Sequence, residues 1–290
     1  MEAKINALIT LLDDTDAEVV AVVSQELMQL GTAVVPTLQD IVETHANPLV
    51  QERLAQIIDD IQFEVLLTDF KVWLKSPNHD LFYVAMAIVR YQYPNVDEVE
   101  MRNKLETMRI EAWVRLNPDD APENKVAVVN EILFGKYHFS GNAQQYYDSD
   151  NSFLNKVIET RRGNPVSLCV IYMIIAQKLG MSVFGVNLPE HFVLAYLNEA
   201  PENVKLPIEE RPILFYINPF NNGIVFKEKE ITQFLSIINA KPEKKYYQCC
   251  NNILIANRIV NNLIRTYQTK NELHKVNHLQ QIQELMQAYL

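Results

Sequence analysis

The sequence predicts an α+β fold, mostly helical, with a small antiparallel sheet packed on a buried helix and with helical flanks. Three observations predict it. Over 166–176 only Ser167 is clearly polar, which marks a helix buried on most sides. Two strands follow, over 182–186 and 188–196. The second alternates, so that His191, Val193 and Ala195 share one face and Phe192, Leu194 and Tyr196 the other. Elsewhere apolar residues recur at helical spacing, and 7 glycines in 290 residues leave room for few tight turns.

In chain order, Ile5, Leu8, Ile9 and Leu12 lie on one helix face. Thr15-x-x-Glu18 fits a capping box for a second helix, with Val19, Val22, Val23, Leu27 and Leu30 inward and Gly31 as its stop. A third helix over 33–44 carries Pro36 in its first turn. Asn47-Pro48 opens a fourth, with Val50, Leu54, Ile57, Ile58 and Ile61 apolar. A separate long helix is expected over 62–75. The segment 11–41 joins paired helices through an acidic turn, then has Gly and a later Pro. It resembles a HEAT-type helical repeat, and an ordinary helical bundle accounts for the pattern equally well.

Ser76-Pro77 ends that stretch. Helices are expected over 80–91, over 98–116 with Leu105, Met108, Ala112 and Trp113 inward, and over 125–134. Trp73 and Trp113 both read as core residues. Residues 135–150, GKYHFSGNAQQYYDSD, form a polar aromatic connection in which His138 reads as a surface residue. A helix over 152–162 ends in Arg161-Arg162-Gly163. The two cations suit a helix C-terminus, and the alternative is an anion held near the start of the next helix.

Asn164 fits the N-cap of the buried helix, and Pro165 its first position, where a missing N–H costs nothing. Gly180 fits the left-handed residue after it. The run FSGNAQQYYDSDNSFLNKVIETRRGNPVSLCVIYMIIAQKLGMSVFGVNLPEHFVLAY (139–196), with INPFNNG (217–223), resembles the transglutaminase-like superfamily, and within it the bacterial SirB-type branch. The resemblance implies a transglutaminase/papain-like core over 126–240. Helical spacing predicts a helical N-terminal part over 1–125, HEAT-like at 5–62, and residues 246–290 resemble a tetratricopeptide-type helix pair, as the closer family often carries.

The superfamily's enzymes place a nucleophilic Cys at the first helical position, two residues after a Gly. Aligning Gly163 and Gly180 without a gap puts Pro165 there, and proline has no nucleophile. Cys169 lies four residues on, about 6 Å along the axis. General-base contact needs about 3 Å, and the helix-end field that lowers a thiol pKa fades beyond the first turn. Cys169 therefore reads as a core thiol, and Ser167 as a local cap rather than an attacking group. The resemblance places His191 at the superfamily histidine and Asn218 where an Asp usually orients the imidazole. The plainer readings are a buried strand histidine and a strand-ending Asn-Pro turn. Tyr146 and Tyr147 are placed to cover the cleft, and with Arg161, Arg162 and Ser167 they complete the binding candidates.

Past His191, residues 198–212 form an exposed loop rich in Pro and charge. A strand over 213–217 delivers Asn218, Asn221-Asn222-Gly223 turns, and 224–226 returns. A helix over 228–238 and a basic linker over 241–245 lead to the C-terminal helix pair, expected to dock on the core. Cys249 and Cys250 make no metal-site pattern, and His274 with His278 lack a third ligand. Neither metal nor cofactor is expected.

Residues 1–70 carry 13 Asp and Glu against 2 Lys and Arg, and the remainder 23 against 24. That balance argues against nucleic acid, which needs a basic surface, and leaves the acidic part free to meet a basic protein partner or simply to be solvated. Three Cys give no disulfide framework, no signal peptide is read, and no apolar run approaches a membrane span. A cytoplasmic protein is expected, with a protein or peptide partner and no membrane. Two functional classes remain. One is a non-catalytic transglutaminase-like binding or regulatory module. The other is a papain-type cysteine peptidase, amidase or acyl transferase using Cys169, His191 and Asn218.

Overall fold

A computed structural model describes residues 2–289. The chain runs α1 (Glu2–Leu11), α2 (Ala17–Gln29), α3 (Val35–Thr44), α4 (Pro48–Lys75), α5 (Leu81–Gln92), α6 (Glu98–Arg115) and α7 (Pro122–Asn130). Then come β1 (Ser140–Gly141), α8 (Leu154–Thr160), β2 (Arg162–Gly163), α9 (Pro165–Lys178), β3 (Val183–Leu188), β4 (His191–Leu197) and the short α10 (Pro201–Val204). It closes with β5 (Ile213–Asn218), β6 (Ile224–Phe226), α11 (Glu228–Ile237), α12 (Asn252–Thr269) and α13 (Leu273–Gln287). No single helix among the described residues is long and apolar enough to cross a membrane.

Contacts divide the chain into two units. The first holds residues up to Val72 with Arg90–Asn95. Its core is one apolar cluster in which Leu12, Leu27, Val35, Leu38 and Leu54 are fully buried. The cap of α2 is Asp16, whose carboxylate accepts the Glu18 N–H at 2.8 Å, not the expected Thr15. Asp is the shorter acceptor for the N2 amide, and this register leaves Thr15 outside the helix. Arg53 donates to the carbonyls of Leu12 and Asp14, closing the turn between α1 and α2. The two helices expected over 48–75 are one helix of 28 residues. After Pro48 the stretch holds no Gly or Pro, so nothing in it stops propagation.

The second unit holds Trp73–Val89 and Val96–Leu290. Its sheet has the order β3-β4-β5-β6, antiparallel throughout. α9 packs on β3 and β4. Within α9 every residue from Pro165 to Ala176 is buried, as the unbroken apolar run requires. Another cluster joins Val186, Leu188, Val193, Ala195, Leu197 and Tyr216 of the sheet to Ile231 and Leu235 of α11. α12 and α13 pack on each other, and α12 also reaches α9, β3 and the 3-10 turn Ser149–Ser152. The C-terminal pair is thus docked within this unit.

Three local departures from expectation have simple causes. In α6, Met101, Leu105, Met108 and Ala112 are buried, while Trp113 is 63% exposed. Those four positions step by four, three and four, and residue 113 stands about 100° round the helix from 112. The helix expected over 152–162 is the 3-10 turn followed by α8, which stops where Arg161 takes a left-handed φ of 63°. α7 is shorter than drawn and passes into a π-helical turn, Glu131–Lys136. Asn130, just before that turn, donates to the Gly223 carbonyl at 2.8 Å and pins the β5–β6 hairpin. Gly223 has φ +72°, and a Cβ there would fall 2.1 Å from the Asn130 side chain, so the turn admits no other residue.

Candidate functional site

The start of α9 is built by reciprocal capping. Asn164 Oδ1 accepts the Ser167 N–H at 2.9 Å, and the Asn164 N–H donates to Ser167 Oγ at 3.0 Å. Asn164 Nδ2 donates to Ser152 Oγ at 2.8 Å, tying the cap to the preceding 3-10 turn. Ser167 is buried and occupied in this box, as its reading as a local cap expects. Pro165 is the first helical residue and is itself buried.

Cys169 is fully buried one turn further on. Its thiol donates to the Phe192 carbonyl at 3.7 Å, and no hydrogen bond links it to His191. Burial pushes the thiol pKa well above its ordinary value, with the Cys250 sulfur adding to the rise. Desolvation also pushes Cys249 and Cys250 up to about 12. None of the three thiols forms a disulfide.

His191 opens β4, on the face that carries Val193 and Ala195 toward α11. Its ring lies 5.9 Å from the Phe234 ring and 6.1 Å, edge-on, from the Phe220 ring. Asn218 ends β5 beside it, and both line a cleft of about 260 Å³ with Leu188, Phe226, Glu230 and Ile231. Burial depresses the His191 pKa to about 4; the Asn218 side chain works the other way and the Arg258 charge adds to the drop. At neutral pH the imidazole is uncharged. Asn218 Oδ1 also accepts the Asn221 N–H at 3.3 Å, so the orienting residue and the turn-capping residue are the same one.

The sequence-derived site residues therefore divide. His191 and Asn218 come together; Cys169 is bound elsewhere, to the strand's backbone. Tyr146 makes an edge contact with Phe220 at 6.2 Å, so an aromatic row runs from Tyr146 through Phe220 to His191. Phe220 is held against Gly141, where a Cβ would fall 2.6 Å from the ring. Tyr147 stands edge-on to Tyr146 and is largely exposed. Arg161 lies over the Phe139 and Tyr137 rings at 4.9 and 5.4 Å, while Arg162 donates to Ser140 Oγ. Arg161 thus stacks on the segment that leads into β1, and Arg162 ties β2 to β1.

Sequence reasoning missed Arg258, Asn262 and Arg265 of α12. They line a recess with Tyr146, Tyr147 and Asn164, directly at the α9 start. The available signal was their spacing, four and then three residues apart, a polar stripe opposite the apolar one.

These features, a buried helix capped at its start and a His-bearing strand beside an Asn-bearing one, define a transglutaminase-like core. The profile of the transglutaminase-like superfamily matches residues 99–261, more than half of the chain, and the protein belongs to that superfamily. Bacterial relatives are known as UPF0162 proteins. The one from Xylella fastidiosa is 34% identical over 158 residues, 53% of this chain and 50% of the relative. That from Vibrio cholerae is 37% identical over 94 residues, 32% of this chain and 31% of the relative. Mouse F-box only protein 21 is 29% identical over 136 residues, 47% of this chain and 21% of its own length. The chain thus spans about half the length of the first of these relatives, and less of the others. No solved structure matches.

Proposed function

We propose that this protein is a non-catalytic transglutaminase-like module that binds a protein or peptide in the cytoplasm. The observation that carries the reading is the start of α9: a buried proline stands at the first helical position, where the resemblance would put a nucleophile, and Cys169 is sealed in the core. An acyl-transfer mechanism needs a thiolate within reach of a base. Cys169 has its pKa raised rather than lowered, and its hydrogen bond goes to a carbonyl. What remains at His191 is a largely apolar cleft with three polar groups, His191, Asn218 and Glu230, at its lining. Such a cleft takes an apolar side chain and fixes its backbone through a few polar contacts.

Alkylation tests the reading. Iodoacetamide at pH 7 should leave Cys169 unmodified in the folded chain, with mass spectrometry of the digested protein as readout. Fast modification of Cys169 below pH 8, abolished by Cys169→Ala and slowed by His191→Ala, would establish a thiol–imidazole pair and replace this reading with that of a cysteine peptidase, amidase or acyl transferase.

A further inference from the structure

The recess at the α9 start has a different chemistry from the His191 cleft. It holds about 70 Å³ and is lined by Tyr146, Asn164, Glu190, Arg258, Asn262 and Arg265, with Tyr147 and Asp148 at its edge. Most of its polar groups already have partners. Asn164 is spent on Ser152 and Ser167. Asp148 accepts the Asp150 N–H at 3.1 Å. Arg265 pairs with Glu190 at 3.4 Å.

Three groups do not. The Arg258 guanidinium, partly buried, makes no hydrogen bond and no ion pair among the described residues; burial lowers its pKa, the neighbouring Arg265 charge adds to that, and Glu190 and Tyr146 work the other way. The Asn262 side-chain amide, one helical turn along, also makes no hydrogen bond among the described residues, while its backbone carbonyl accepts from Thr266 Oγ1 at 3.0 Å. Tyr146 lines the same recess, and its hydroxyl makes no hydrogen bond among the described residues. A half-buried guanidinium with no protein acceptor is free to take one from a ligand. Four residues apart on α12, Arg258 and Asn262 offer their donors from one face. α9 adds the positive end of its dipole from the other side.

We propose that this recess recognises a single carboxylate, supplied by a Glu or Asp side chain of a peptide partner, with Arg258 as the ion-pairing group and Asn262 and Tyr146 as hydrogen-bond donors. Charge selects carboxylate over phosphate. Arg265 is taken by Glu190, so Arg258 is the one guanidinium left for an anion, and a dianion would bring a second negative charge beside Glu190 and Asp148. A side-chain carboxylate and a chain terminus share this chemistry, and the probes below tell the two apart. This inference rests on the binding-module reading. The tests separate the two, because Cys169 alkylation reports on catalysis and says nothing about Arg258.

The experiment uses the full chain labelled with 15N and follows the Arg258 Nε–Hε resonance, identified by its loss in Arg258→Gln. The probes are glutamate blocked at both ends, glutamine blocked likewise, N-acetyl-leucine with a free carboxylate, and inorganic phosphate. Blocked glutamate should shift the resonance saturably, with at least about tenfold weaker binding of blocked glutamine. Asn262→Ala should weaken the glutamate response several-fold. Arg258→Gln, followed through the Asn262 side-chain amide, should abolish it while keeping or raising Tm, since it removes an unpaired buried charge. Equal binding of the glutamine probe, no saturable response to glutamate, or tighter binding of phosphate or of acetyl-leucine would each overturn the proposal. A Tm loss in Arg258→Gln without ligand would show that the guanidinium is structural, which also overturns it.

Discussion

The first two residues of β4 face opposite sides of the sheet and meet different surroundings. Phe192 is fully buried, and its carbonyl takes the Cys169 thiol from the side of α9. His191, one residue earlier, points to the opposite face and lines a cleft with Asn218 under α11. Period-two alternation enforces this split whatever the chemistry. On the proposed reading, catalysis would need the thiol at the helix start; proline stands there, and Cys169, a turn later, meets the strand's backbone instead.

The largest expected effect tests the buried face. Phe192→Ala removes a fully buried ring that packs against Gly185, where even a Cβ would lie 2.7 Å from it. The loss should be about 3–5 kcal/mol in urea unfolding. His191→Ala, on the cleft face, should cost clearly less at pH 7. Equal losses would mean that the two faces are packed alike.

The second effect belongs to the cleft face and depends on pH. Folding lowers the His191 pKa from 6.5 to about 4. Below 6.5 the unfolded chain takes up a proton that the folded chain refuses, so stability falls as pH drops from 6.5 toward 4 and the penalty is complete below that. The shift corresponds to about 3 kcal/mol. Above pH 6.5 this group should contribute no pH dependence. His191→Phe should remove this part of the profile, measured as the difference between the two unfolding curves across pH 4–7.

How much of this could be read from residues alone follows from the range of the forces involved. The α9 start was legible because capping and proline placement act within four residues, and Asn164, Pro165 and Ser167 stand as that pattern requires. The β4 alternation and the Gly180 stop were legible for the same reason. Trp113 misled because large aromatics are usually buried, while its angular position on α6 put it outside. The unbroken α4 departs in the other direction: one helix runs where two are expected, because no Gly or Pro follows Pro48 before its end. The His191–Asn218 pairing was implied by the superfamily resemblance, not by local pattern. Arg258 was illegible because its meaning depends on Tyr146 and Glu190, each more than 65 residues away in sequence.

A third test moves the sulfur. Pro165→Cys places a thiol at the first position of α9, inside the turn where the helix field lowers thiol pKa. It should react with iodoacetamide at pH 7 at least about tenfold faster than the native Cys169. If the introduced thiol is as inert as Cys169, the helix start is closed by packing, and the proline is a consequence of that closure rather than its cause.

The smallest effects lie in the two charges and dipoles that tune His191. Arg258 lowers its pKa and Asn218 raises it, both less than burial does. Arg258→Gln should therefore move the imidazole pKa up by a few tenths of a unit, and Asn218→Ala should move it down by a similar amount. Both are readable from the ring proton shifts in an NMR titration. Opposite signs would show that the imidazole answers to both recesses, the polar one at α12 and the apolar one under α11. If Arg258→Gln left the pKa unchanged, the two recesses would be electrically separate. The faces of β4 would then differ in charge as completely as they already differ in packing.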